Sequence, residues 1–267
     1  MRIIFCGYGR ASLECLYQLM GNYDIDSSDV IIFTHDTSEN AEFINHLRVN
    51  NFKFTYENVN NSFDLIRDFN PSYLLSIYYR YIISTDILDI VNYKAMNLHP
   101  SLLPAYRGTK SSVWAILNNE KYTGISFHYI DSGVDTGRII LTKELLIKQE
   151  DTAFSLYHKL IGLFSSHFCS AFDLVIDNYN GVEQTGHTSY YSRKLPYDGK
   201  MKLNDLNLED ARRFVRAMYF PPHEGAIFIL KDGSEVEINS IESLHQYFGV
   251  SWYTFQAHAL ITLELEN

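Results

Sequence analysis

Asn97, His99 and Asp135 are the residues whose types and spacing suit joint chemistry. Asn97 and His99 stand two apart at the end of an apolar run from Lys94 to Leu98, a strand pattern that Pro100 stops. Side chains on a strand repeat every two residues, so an amide donor and an imidazole face one cleft. Open α/β sheets bind ligands at that carboxyl end, where loops carry side chains on a rigid frame. Asp135 follows Asn97 by 38 residues, in the turn DSGVD that also contains Asp131. Gly133 and Gly137 suit a tight loop that returns the Asp135 carboxylate to His99. An amide can donate to a developing oxyanion, an imidazole with an ordinary pKa of about 6.5 can serve as a base, and a carboxylate can orient it. Two carboxylates near a histidine also admit a metal reading, but nothing else in the sequence supplies ligand geometry. His128 alternates onto the face of Ser126 and reads as a satisfied core histidine, with a second catalytic or ligand histidine as the alternative.

The frame for these residues is legible as strands alternating with helices. Ile3 to Phe5 is a short buried strand ending at Gly7, and Leu13, Leu16, Tyr17 and Met20 recur at helical spacing. Val30 to Phe33, then Phe43, Ile44 and Leu47, repeat the unit; Lys53 to Tyr56, then Leu65, Ile66 and Phe69, repeat it again; Tyr73 to Ile77 is a further strand. This alternation predicts an α/β fold with a mostly parallel sheet and helices on both faces. Ser111 is expected to cap a helix through Asn119, with strands over Gly124 to Tyr129 and Ile139 to Ile147. Thr152 to Ile176 reads as a long helix with a core stripe of Phe154, Tyr157, Leu160, Ile161, Phe164 and Phe168. Composition turns polar near Asp177 to Gly186, which divides the chain into 1–185 and 186–267. In the second part YYSRKLPYDGKM reads as a connecting loop, followed by an Asn207-capped helix through Met218. AIFIL and SEVEI flank an Asp232, Gly233 turn as a hairpin, and Ala259 to Leu265 reads as a last strand.

Composition narrows the partners. The formal net charge is −10, with 32 acidic and 22 basic residues, which opposes a large nucleic acid partner but not a small anion. Only Cys6, Cys15 and Cys169 are present, without CxxC spacing, so neither a disulfide framework nor a zinc site is implied and a reducing compartment fits. No stretch has the length of a membrane span, and the expectation is a cytoplasmic protein with no membrane partner. GYGRAS invites a dinucleotide reading, but Ser12 stands where the third Gly of the fingerprint belongs. Arg10, at the start of the first helix, is a candidate for holding a phosphate.

The blocks NLHPSLLPAYRG and TGISFHYIDSGVDTG, in this order and spacing, resemble the folate-dependent formyltransferases. That resemblance implies a Rossmann-like formyltransferase fold, N10-formyltetrahydrofolate as co-substrate and no metal. It implies that Asn97 donates to the oxyanion while His99 and Asp135 handle the amine proton. It also implies a folate pocket lined by the loop residues Tyr78, Tyr79, Tyr81, Ile82 and Ile83, together with Asp131. YYSRKLPYDG and RAMYFPPHEGA are similar to segments of the enzymes that formylate nucleotide-linked amino sugars. That similarity implies Arg80 on the substrate pyrophosphate, Tyr219 or Phe220 stacked on its base, and a homodimer built by the tail. The implied acceptor is a dTDP-linked 4-amino or 3-amino dideoxyhexose of surface polysaccharide synthesis. Glycinamide ribonucleotide and methionyl-tRNA are the alternative acceptors, and formyltetrahydrofolate hydrolysis is the alternative reaction. The acidic tail opposes the tRNA reading, and GYGRAS does not match the phosphate loop of the glycinamide ribonucleotide enzymes.

Overall fold

The computed structural model describes residues 1–223 and 225–248. The expected strand Ala259 to Leu265 lies outside them.

The chain divides into two compact units, the first made of Met1–Ser111, Tyr122–Leu146 and His158–Tyr191. In chain order the first unit contains β1 (Ile3–Gly7), α1 (Gly9–Asn22), β2 (Val30–Phe33), α2 (Ala41–Val49), β3 (Lys53–Thr55), α3 (Phe63–Phe69), β4 (Tyr73–Ile77), α4 (Thr85–Ile90), β5 (Ala95–His99) and β6 (Arg107–Gly108). After α5 (Ser111–Leu117), which begins at the unit's edge, come β7 (Tyr122–Tyr129), β8 (Ile139–Leu146), most of α6 (Ala153–Ile176) and β9 (Tyr190–Tyr191). The main sheet has the order β3-β2-β1-β4-β5-β7-β8. Its first five strands are parallel, and β7 and β8 add on antiparallel.

The strand sequences explain this placement. β1, β2 and β4 are buried at every position, as continuous apolar runs are when helices cover both faces of a parallel sheet. β8 is the edge, and its exposed Thr142, Lys143 and Glu144 give it the charged character that discourages pairing with a further strand. α1 and α2 bury Leu13, Leu16, Leu19, Phe43 and Leu47. Against the expectation that no stretch has the length of a membrane span, α6 is by length and composition apolar enough to cross one. Its apolar stripe is instead occupied by the core: Phe164 meets Phe127 of β7 edge-on, and Phe172 meets Tyr73 of β4. Phe164, Phe168 and Phe172 are fully buried.

The second unit gathers Ser112–Lys121, Ile147–Tyr157 and Ser192 onward. The first unit therefore runs on through Tyr191, past the composition change near Asp177 to Gly186. Within the second unit lie β10 (Lys200–Lys202), α7 (Leu208–Met218), β11 (Ala226–Ile229) and β12 (Glu235–Ile238). The Asn207 side chain accepts the Asp210 N–H at 2.8 Å and so caps α7. β11 and β12 form the antiparallel hairpin, and Gly233 takes the left-handed φ of 83° that its turn requires. Phe214 packs edge-on against Phe228 to join α7 to the sheet.

The segment YYSRKLPYDGKM is more than a loop. Its first two residues form β9 beside β6, and its end forms β10 beside β11. Strands this short carry no periodic signal; only the partner backbone identifies them. Ser111 also departs from expectation, since its hydroxyl donates to the Pro100 carbonyl at 2.6 Å and α5 ends at Leu117.

Candidate active site

The carboxyl end of β5 carries Asn97 and His99 between β4 and β7. In the antiparallel pairing Asn97 lies opposite His128 and His99 opposite Ser126, so the side chains of each pair are neighbours on one face. The His99 Nε2 lies 2.7 Å from the Tyr106 carbonyl. A carbonyl only accepts, so Nε2 carries the hydrogen and Nδ1 is the basic nitrogen. Nδ1 is 3.4 Å from the Asp135 Oδ2.

Asp135 is held by its own loop and by both neighbouring elements. Its Oδ2 accepts the Gly108 N–H at 2.8 Å, and its Oδ1 lies 3.4 Å from the Asn97 Nδ2 and 3.5 Å from the His128 Nε2. The loop turns as tightly as its glycines suggest. A Cβ on Gly133 would come within 2.0 Å of the Thr136 Oγ1, and one on Gly137 within 1.8 Å of the Tyr129 carbonyl oxygen. Asp135 itself has a φ of 54°. Asp131 closes the loop from within, its Oδ1 accepting from the Gly133 N–H at 3.0 Å and the Thr136 hydroxyl at 2.6 Å.

His128 is the satisfied, buried histidine that the sequence favours, and it also borders the site. It is 2% exposed, and its Nε2 lies 3.5 Å from the Asp135 Oδ1. Its Nδ1 donates to the Tyr129 carbonyl at 2.7 Å, which leaves Nε2 to accept the Asn97 amide at 3.0 Å. The cross-strand register with Asn97 is what sequence periodicity within one strand could not supply. Gln184 also escaped notice, because it stands in the polar segment after α6 and belongs to no motif. Its amide donates to the Asp135 and Gly137 carbonyls and accepts from Arg107.

The electrostatics separate the two partners. Burial pushes His99 below its ordinary 6.5, against the opposing influence of the Asp135 carboxylate and the Tyr106 carbonyl. Burial on its own would raise the Asp135 carboxyl, but His99, His128 and the Gly108 N–H overcome it and hold the group at about 2. The site therefore presents a neutral imidazole beside a carboxylate that stays ionised. Among the described residues no group of three or more His, Cys, Asp or Glu is disposed to hold a metal ion.

The remaining predicted residues fall into distinct settings. In the loop after β4, Tyr81 and Ile82 are exposed at 45% and 66%. Ile83 is buried in a core cluster with Ile4, Leu74 and Ile87. The Tyr79 hydroxyl accepts the Val59 N–H at 3.0 Å and its ring stacks on His35; Tyr78 takes a φ of 57° and packs edge-on against Phe164. Ile83 and the Tyr79 hydroxyl are thus committed to the fold, and Tyr81 and Ile82 are the side chains presented outward. The Arg80 guanidinium lies 3.9 Å from the centroid of the Tyr8 ring. Arg10 does not meet the phosphate expectation, because Glu14 and Glu42 each hold its guanidinium at 2.8 Å. The adjoining backbone donors are also engaged, Tyr8 N–H by Ser12 and Gly9 N–H by Asn40. In the second unit the Phe220 ring packs edge-on against Phe154 and Tyr157 at 5.6 and 5.4 Å. Tyr219 lines a cavity of about 270 Å³ with Thr152, Arg216 and Ser240.

Comparison with known proteins identifies the family. A family model described as formyl transferase matches residues 31–170. GDP-perosamine N-formyltransferase of Brucella melitensis is 33% identical over 246 residues, covering 90% of this chain and 93% of the relative. A 4-N formyltransferase from Francisella tularensis has a similar solved structure, with a TM-score of 0.73 and 21% identity over 90% of this chain and 97% of that one. An N-formyltransferase from Helicobacter canadensis, solved with folinic acid and dTDP-3-aminofucose, aligns with a TM-score of 0.67 and 22% identity over 82% of this chain and 81% of that one. At these identities the two structural likenesses speak to the fold.

Proposed function

This chain belongs to the formyl transferase family, and from that membership we propose that it transfers a formyl group to the amine of a nucleotide-linked 4-amino-4,6-dideoxyhexose. GDP-perosamine is the first candidate acceptor, ahead of the dTDP-linked sugar that the sequence alone favours. The relative named for GDP-perosamine is 33% identical and matched along 93% of its length, whereas the likeness to the structure holding a dTDP-sugar is 22% identical. The observation that carries the chemistry is the convergence of the Asn97 amide and the His99 Nδ1 on one Asp135 carboxylate, each at 3.4 Å.

N10-formyltetrahydrofolate supplies the formyl group. The exposed Tyr81 and Ile82 suit the edge of a flat heterocycle. Asn97 keeps one amide hydrogen on the His128 Nε2, which holds the amide in place, and turns the other from its long 3.4 Å contact with Asp135 to the formyl oxygen as negative charge develops there. The proton leaving the attacking amine comes to rest between the His99 Nδ1 and the Asp135 Oδ2. Burial keeps His99 ready to accept it, and the ionised carboxylate stabilises the imidazolium that results. Arg80 is the pyrophosphate ligand of this reading, since a guanidinium offers matched donors, and Tyr219 or Phe220 takes the nucleotide base. The same reading makes the protein a cytoplasmic homodimer serving surface polysaccharide synthesis.

The test is a turnover panel with N10-formyltetrahydrofolate and GDP-perosamine, dTDP-4-amino-4,6-dideoxyglucose, a dTDP-3-amino sugar, a UDP-4-amino sugar and glycinamide ribonucleotide. A mass gain of one formyl group, fastest on GDP-perosamine, is the expected result. Fastest turnover of a dTDP-sugar reverses the choice of base. Formate release with every nucleotide sugar unchanged rejects the acceptor class.

A further inference from the structure

Gln184 ties together two loops that meet over the catalytic carboxylate. Its Nε2 lies 2.9 Å from the Asp135 carbonyl oxygen and 2.7 Å from that of Gly137. Its Oε1 accepts from the Arg107 Nη2 at 2.6 Å and Nε at 3.2 Å. These partners assign the amide orientation, because a reversed amide would face two carbonyls with its own oxygen. Arg107 immediately precedes Gly108, whose N–H holds the Asp135 carboxylate from the other side.

The Asp135 backbone needs such a brace. Its φ of 54° lies in the left-handed region, and a non-glycine residue persists there when its surroundings over-determine the conformation. The same chain segment secures the Gly108 loop again. Ser189 accepts the Tyr106 N–H at 2.8 Å through its hydroxyl and the Arg107 N–H at 2.9 Å through its carbonyl; the Tyr191 carbonyl accepts the Thr109 N–H at 2.9 Å. Tyr106 is the residue whose carbonyl holds the His99 Nε2.

We propose that Gln184 is a positioning residue for formyl transfer: it grips the backbone of the 135–137 loop so that the Asp135 carboxylate stays against His99 and Gly108. The rate consequence rests on the proposed reaction, but the placement of Asp135 does not. Gln184→Leu removes donor and acceptor together. Gln184→Glu keeps an acceptor for Arg107 but turns a carboxylate toward the two carbonyls.

The experiment measures kcat and KM for both variants with the amino-sugar acceptor and follows the His99 ring by NMR titration in the wild type and Gln184→Leu. Asp135, His128 and Arg107 are the charged or titratable groups acting on His99. The expected result is a fall in kcat approaching about 100-fold in both variants, KM nearly unchanged, and a lower His99 midpoint in Gln184→Leu as the carboxylate that raises it moves off. Unchanged kcat in both variants overturns the proposal. So does a loss confined to Gln184→Leu, which would mean that Gln184 serves Arg107 alone, or a rise in KM with kcat intact. Should the wild type turn over no acceptor, the reading of function fails, and the NMR arm decides the positioning claim alone: a lower midpoint supports it and an unchanged one rejects it.

Discussion

Replacing Asp135 by Asn tests the centre of the mechanism with little change of shape. The wild-type carboxylate faces His99 Nδ1 at 3.4 Å. At that separation and an effective dielectric of about 20, a carboxylate attracts an imidazolium by about 5 kcal/mol. The imidazolium forms only as the amine loses its proton, so the loss falls on the transition state. Since about 1.4 kcal/mol is tenfold in rate, and an amide dipole recovers part of the attraction, kcat should fall about 1000-fold with KM for both substrates nearly constant. Initial rates at saturating acceptor, read as formylated product by mass spectrometry, give the number. A fall of less than tenfold in a folded variant would show that the carboxylate is not coupled to His99 as described. Stability supplies a second reading of the same group. A carboxyl held at about 2 against an ordinary 3.8 stabilises the fold above pH 3.8, and that contribution is lost as pH falls toward 2. The amount is about 2 kcal/mol, so the wild type should lose about that much more stability than Asp135→Asn across this interval in acid unfolding.

Other consequences follow from the same geometry. Asn97→Ala removes the donor to the formyl oxygen and should lower kcat by about 100- to 1000-fold, measured under saturation; a change below tenfold would contradict the oxyanion role. His99 lies below 6.5 chiefly through burial, so kcat should rise with pH to a plateau with its midpoint under 6.5. A pH-rate profile with a midpoint at or above 6.5 would remove His99 as the titrating base. Gly137→Ala places a methyl group 1.8 Å from the Tyr129 carbonyl oxygen, an overpacking that should cost about 1 to 3 kcal/mol. The melting temperature should drop by several degrees, and an unchanged value would mean that the loop has room this structure does not show.

The sequence by itself determined the frame and singled out the candidate trio Asn97, His99 and Asp135. Continuous apolar runs at Ile3 to Phe5, Val30 to Phe33 and Tyr73 to Ile77 can be stable only between two helical layers. The period of two places Asn97 and His99 on one side of a strand whatever surrounds it, and Gly133 with Gly137 permits the turn that brings Asp135 back. These are local facts of spacing and backbone freedom. The tertiary structure decided everything that depends on which distant segment lies alongside. Antiparallel pairing of β5 with β7 sets His128 opposite Asn97, and no periodicity within either strand encodes that register. Gln184 reaches the Asp135 loop from 49 residues away. β6 and β9 exist only because two short segments, each without a strand pattern of its own, hydrogen-bond to each other. Arg10 was the reverse case: a helix-start guanidinium reads as an anion ligand until Glu42, 32 residues on, is folded against it. Periodicity reports the environment of one element, whereas register and long-range polar partners arise when elements pack, and in this protein those partners hold Asn97, His99 and Asp135 in place.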